Sequence, residues 1–188
     1  MPTPARTSTE AIVAAGRRIL ELEGLAGLTM QRVAADVGVR PPSLYKRVRG
    51  RGELIRLIAN DLLRELEAAV DTAAASGDPR RDLAAIARAF RSFARAHPEG
   101  YSMVFGRLPT EWQPDLELTR RSSATLIRTV TALAGPHEGL EAARTVTAWA
   151  NGFIGMELAG AFRLGGDVDR AFDYGIARLT EAIARDRS

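Results

Sequence analysis

The sequence predicts an all-α fold in two parts, a small three-helix head and a larger helical body. Three observations carry this. Apolar residues recur at three- and four-residue spacing through most of the chain, and no segment alternates with the period of a strand. Glycine, proline and N-cap residues cut the pattern into helix-length pieces. The basic excess lies in the first third: residues 1–56 hold ten Lys and Arg against five Asp and Glu, leaving sixteen against eighteen in the rest.

That asymmetry says more than the net charge of +3. A basic head on a near-neutral body is the footprint of a protein that meets a polyanion with one end. An apolar content of 46% marks an ordered, globular chain of 188 residues, long enough to bury a sizeable core. Without cysteine there is no disulfide frame, thiolate nucleophile or Cys-based zinc site. No N-terminal apolar region and no run of membrane-spanning length is present, so a soluble, cytoplasmic protein with no membrane partner is expected.

Residues 1–8 read as a loosely ordered arm. Thr9 to Glu23 carries Ile12, Val13, Ile19, Leu20 and Leu22 at mostly helical spacing, and Gly24 to Gly27 ends that helix. Thr29 is a good N-cap for a second helix, with Leu28 and Val33 forming a hydrophobic staple. Gly38 suits the left-handed exit from it, and Pro41 the first position of the next helix, about Pro41 to Val48. Two short helices across a tight turn make a helix-turn-helix pattern. Leu44 and Val48 face inward in the second, leaving Ser43, Tyr45, Lys46, Arg47, Arg49 and Arg51 outside. So many cations suit a helix lying beside phosphates, where they release counterions, better than one buried in a core.

The stretch LTMQRVAADVGVRPPSLYKRVRGRGEL resembles the DNA-binding domain of TetR-like transcriptional regulators, over roughly Thr9 to Leu57. The resemblance implies that Tyr45, Lys46, Arg47 and Arg51 hold phosphates and that Gln31, Arg40, Pro41 and Ser43 lie near base edges. Arg40 departs from the small hydroxyl residue that commonly caps the recognition helix, and Val48 from the usual phenylalanine.

From Glu53 a long helix, with apolar positions from Leu54 to Val70, runs into the body, so the head is expected over 1–52 and the body over 53–188. Asp78 and Pro79 open a helix with Leu83, Ile86, Phe90 and Phe93 on one face, ending at His97-Pro98. Residues 100–114 are apolar but interrupted by Pro109 and Pro114, and read as irregular. Asp115 opens a helix reaching Ala134. The last two helices are expected at Leu140–Leu164 and Val168–Arg185, with Asp167 as N-cap of the second. Gly152, Gly155, Ala159 and Gly160 would let another helix approach closely, which suits a two-fold bundle between subunits. AWANGFIGMELAGAFRLGGDVDRAFDYGI resembles the body of a TetR-like subset with a Trp-x-His-Gly-like signature, with Asn151 in the histidine position; the family implies dimerisation through these two helices.

The chemistry of catalysis is missing. His97 and His137 sit beside prolines at helix ends and in no metal-ligand spacing, so no catalytic residue, metal or cofactor is expected. Glu157, among apolar neighbours, either meets an arginine across a subunit interface or a polar ligand, or stands on the polar edge of its helix. Phe93, Tyr101, Phe105, Trp112, Trp149, Phe153 and Glu157 are the candidate lining of an apolar ligand pocket, with plain core packing as the alternative for each aromatic. The expected protein is a homodimeric, ligand-responsive regulator, a repressor that a small, mostly apolar effector releases from double-stranded DNA carrying an inverted repeat; the alternative is a regulator whose body binds a protein partner or nothing.

Overall fold

The computed structural model describes residues 8–185, and all of the arm expected over residues 1–8 except Ser8 lies outside them. Among the described residues all regular structure is helical: α1 (Thr9–Gly27), α2 (Met30–Val37), α3 (Pro41–Tyr45), α4 (Arg51–Ala73), α5 (Pro79–Ala96), α6 (Pro98–Phe105), a 3-10 turn (Thr110–Trp112), α7 (Leu116–Ala134), α8 (Gly139–Leu158) and α9 (Val168–Arg185). None is long and apolar enough to cross a membrane.

The chain forms two compact units. Among the described residues, the first takes those up to Arg64 together with His97–Thr119, and the second takes Glu65–Ala96 and those from Arg120 onward. The expected boundary at residue 52 falls just inside α4, and the segment 97–119 groups with the head rather than with the body.

In the first unit the fully buried Ile12, Ile19 and Leu20 of α1 share a core with Leu28, Val33, Leu44, Leu54, Ile55 and Ile58. α1 is broken at Gly24, where the expected stop occurs. Ser8 caps it, accepting from the Ala11 amide. α6 packs on α1, and the Glu21 carboxylate accepts the amides of Glu99 and Gly100, two donors that the first turn of α6 leaves without helical partners. Residues 98–105 are therefore regular helix, where the sequence reads as irregular. Pro98 is tolerated as the first residue, and the prolines that stop helices come only at 109 and 114.

In the second unit α5, α8 and α9 pack on one another. Ser76 and Asp82 tie the turn before α5, the Ser76 amide and hydroxyl both donating to the Asp82 carboxylate at 2.9 and 2.7 Å. Asp167 caps α9 as expected, accepting from the amides of Asp169 and Arg170. α8 is shorter than expected. It ends at Leu158, because Gly160 takes a left-handed backbone (φ 63°) and the Ala161 amide turns back to the Met156 carbonyl.

Candidate nucleic-acid interface

The geometry of the head is set by its two turns. Thr29 Oγ1 accepts the Arg32 amide at 3.1 Å and starts α2. Gly38 (φ 73°) ends it, and the amides of Gly38 and Val39 return to the carbonyls of Ala35 and Ala34. The left-handed backbone there is open to glycine at little cost. Pro41 then begins α3 without a side-chain cap from Arg40. α3 is one turn shorter than the spacing predicts, closing at Tyr45, but Val48 is still buried beside Leu44 through the amide bonds of Arg47 and Val48 to the Leu44 carbonyl.

Anchored by Leu44 and Val48, α3 holds its remaining side chains at the surface. Tyr45 is 53% exposed despite its ring, and Lys46 and Arg47 stand in the open. Gln31 in the first turn of α2 and Arg40 just before α3 are exposed, with Pro41 and Ser43 half-buried between them. The carboxyl of Glu10, at the start of α1, lies below its usual range, chiefly through a backbone N–H and Ser8, with Arg47 adding a smaller part. Gln31 thus lies on α2, Arg40 just before α3, Pro41, Ser43 and Tyr45 on α3, and Lys46 and Arg47 directly after it.

Arg51 does not join them in the way the phosphate role requires. Its Nε donates to the Leu28 carbonyl at 2.7 Å and one terminal nitrogen to the Leu25 carbonyl at 2.6 Å, and its Cζ lies 5.5 Å from the centroid of the Trp112 ring. The expected outward cation is turned inward, onto carbonyls that the broken end of α1 leaves unbonded. Arg49 is exposed but paired with Glu53, which also accepts its amide at 2.6 Å. These contacts hold the Glu53 carboxyl below its usual range.

The seven residues expected around a ligand fall in two units. Tyr101, Phe105 and Trp112 lie in the first: Tyr101 is buried, its phenol pushed up by that burial, and its ring stands 5.1 Å from that of Phe105. Phe93, Trp149, Phe153 and Glu157 lie in the second. There Trp149 and Phe153 pack on Phe172 at 5.0 and 5.2 Å, and Phe153 on Phe162 at 4.8 Å. Glu157 meets its arginine within the same chain. Arg91 binds both carboxylate oxygens, at 2.8 and 2.7 Å, and Arg95 reaches the same group and Asp169. The Arg91 bond, with Arg95 behind it, holds the Glu157 carboxyl low against the opposing effect of burial. Arg91 and Arg95 are legible in the sequence only as a pair four apart on an otherwise apolar helical face; that they meet Glu157 is a property of the fold. His97 lies at the start of α6, 3.5 Å from Arg17, and His137 is exposed.

Two family descriptions match the chain: "Bacterial regulatory proteins, tetR family" over residues 12–58, and "Tetracyclin repressor-like, C-terminal domain" over residues 83–179. The HTH-type transcriptional repressor DrrR1 of Streptomyces coeruleorubidus is 39% identical over 97 residues, which span 52% of this chain and 35% of that protein. An HTH-type transcriptional regulator of Mycobacterium tuberculosis, Rv0681, is 28% identical over 186 residues, 97% of this chain and 84% of that one. Among solved structures, a protein of unknown function from Rhodococcus sp. RHA1 superposes with a TM-score of 0.83 at 25% identity, covering 97% of this chain and all of the other.

Proposed function

Because this chain belongs to the TetR family, and is thus a helix-turn-helix transcriptional regulator rather than an enzyme, we propose that it acts as a homodimeric repressor, released from an inverted-repeat operator by a small, mostly apolar effector. The observation that carries this reading is α3, which buries Leu44 and Val48 and leaves Tyr45, Lys46 and Arg47 exposed beside Gln31 and Arg40. Tyr45, Lys46 and Arg47 hold phosphates, which sets register without reading sequence; Gln31, Arg40, Pro41 and Ser43 lie near base edges.

A second copy of the chain packs on α8 and α9. Gly152 and Gly155 are exposed, with nothing within 4 Å of the position a Cβ would take, and Met156 and Tyr174 stand exposed on the same two helices. Two heads held by a two-fold axis read two half-sites, hence the inverted repeat. The effector is apolar because the second unit offers aromatic rings, Trp149 and Phe153, beside a small charged cluster in which Arg91 and Arg95 hold Glu157, and ligand sites in helical bundles combine apolar walls with a few polar anchors. The setting is the cytoplasm, where the DNA is.

Selection of duplexes from a randomised pool by the purified protein tests the DNA half of this reading, and recovery of an inverted repeat is the expected result. A pool that returns no enriched sequence, or a single unrepeated half-site, rejects it. A thermal-shift screen of small apolar compounds tests the effector half, since a ligand of the folded state raises the melting temperature and should also lower affinity for the selected duplex.

A further inference from the structure

We infer that Arg51 is a positioning residue of the DNA-binding head, clamped against Trp112, and does not hold a phosphate. This rests on the DNA-binding reading above and gives a specific residue a different role within it.

Three features of the geometry meet at Arg51. Its guanidinium bridges the carbonyls of Leu25 and Leu28, which flank the junction between α1 and α2. It does so from the first residue of α4, the helix that follows α3 in the chain. Leu28 immediately precedes Thr29, the cap that starts α2. One side chain therefore ties the segment entering the helix-turn-helix to the segment leaving it, and α3 hangs between the two by Leu44 and Val48.

Trp112 closes this tie from one side. Its ring faces the Arg51 cation and lies against the backbone of Gly52, where a Cβ would collide with the indole. A glycine at the second position of a helix gives up helix propensity, and here the missing side chain makes room for the ring. The turn that carries Trp112 is itself fixed by Asp115. The Asp115 carboxylate accepts from Asn60 at 2.8 Å, and its amide donates to Asn60 Oδ1 at 3.0 Å, with Arg56 3.2 Å from the same carboxylate. Lysine at 51 could not reproduce the arrangement, because a single ammonium lacks the planar fork that spans two carbonyls while stacking on a ring.

The experiment compares Arg51→Ala, Arg51→Lys and Gly52→Ala with the wild-type full-length chain. Affinity is measured across a salt series for the duplex that the wild type selects from a randomised pool, and for an unrelated duplex. A positioning role predicts that all three variants lose roughly tenfold or more on the selected duplex, much less on the unrelated one, with the log-log salt slope unchanged. A phosphate role predicts that Arg51→Ala flattens the slope by about 0.9 for each phosphate no longer neutralised, near two units per dimer, that Arg51→Lys restores it, and that Gly52→Ala has no effect; any of these overturns the inference. Trp112 emission, read in a Trp149→Phe background that leaves it as the chain's one tryptophan, is a second readout that needs neither DNA nor full stability. It must shift in Arg51→Lys and Gly52→Ala, and an unchanged spectrum overturns the clamp even if the wild type selects no duplex. The latter result alone would reject the DNA-binding reading and leave the clamp standing.

Discussion

Arg91 grips both oxygens of Glu157 while its Cζ stands 4.7 Å from the ring centroid of Phe172, so one guanidinium joins an ion pair of α5 and α8 to the aromatic core. Both side chains of the pair are largely out of water, at 7% and 13% exposure. Removing one member of such a pair leaves the other charge buried. Arg91→Ala is expected to destabilise the protein by about 3 kcal/mol in a denaturant titration. Arg91→Met combined with Glu157→Leu leaves Arg95 with Asp169 and should cost far less than the single change. A double variant as unstable as Arg91→Ala alone would mean that the pair stabilises the fold beyond what apolar packing can replace.

The same carboxylate makes stability depend on pH. Arg91, then Arg95, lowers the Glu157 pKa below its unfolded value, so its contribution is present above the ordinary glutamate range and is lost as the pH falls through the depressed folded value. The melting temperature should therefore decline on acidification below about pH 4.3. Glu157→Gln should melt lower at neutral pH and decline less steeply in acid. Parallel curves for the two proteins would assign the acid sensitivity to other carboxylates.

At the recognition helix, Lys46→Ala and Arg47→Ala are expected to weaken binding to all duplexes alike. Each should lower the salt slope by about 0.9 for every phosphate left without its cation, near two units per dimer. A variant that alters which duplex is preferred while keeping the slope would make that residue a base reader.

The exposed glycines of α8 give a test of assembly. A Cβ at the exposed Gly155 meets nothing within 4 Å, so the helical circular dichroism of Gly155→Arg should be preserved. Sedimentation should nonetheless shift from dimer toward monomer, with loss of tight duplex binding. A variant that stays dimeric with full affinity places the subunit interface elsewhere.

What is legible in the sequence is local. Thr29, Gly38, Pro41 and Asp167 act within four residues of themselves through capping bonds or a fixed backbone angle, and each marks the helix end expected of it. The end of α8 escapes the pattern for the same reason in reverse. Ala161, Phe162 and Leu164 continue an apolar helical pattern past the point where Gly160 turns the chain, and periodicity alone weighs composition rather than backbone angle. The site is less legible than the fold. That Lys46 and Arg47 face outward follows from the spacing of Leu44 and Val48, but Arg51 continues the same basic run and turns inward. Its partners Leu25, Leu28 and Trp112 lie 23 to 61 residues away, and no local pattern marks them. The grouping of 97–119 with the head, and the meeting of Arg91 with Glu157 across 66 residues, are long-range in the same sense.

Lys46 has a further consequence. Every other cation of the 188 residues is an arginine, so the side-chain primary amines of this sequence number one, exposed at the end of the recognition helix. Reagents that seek amines would therefore mark the polypeptide at its α-terminus and at this one helix. Protection of that single ε-amine becomes a chemical gauge of occupancy, and its acetylation would neutralise a cation of the recognition helix while leaving the guanidinium groups of both units intact.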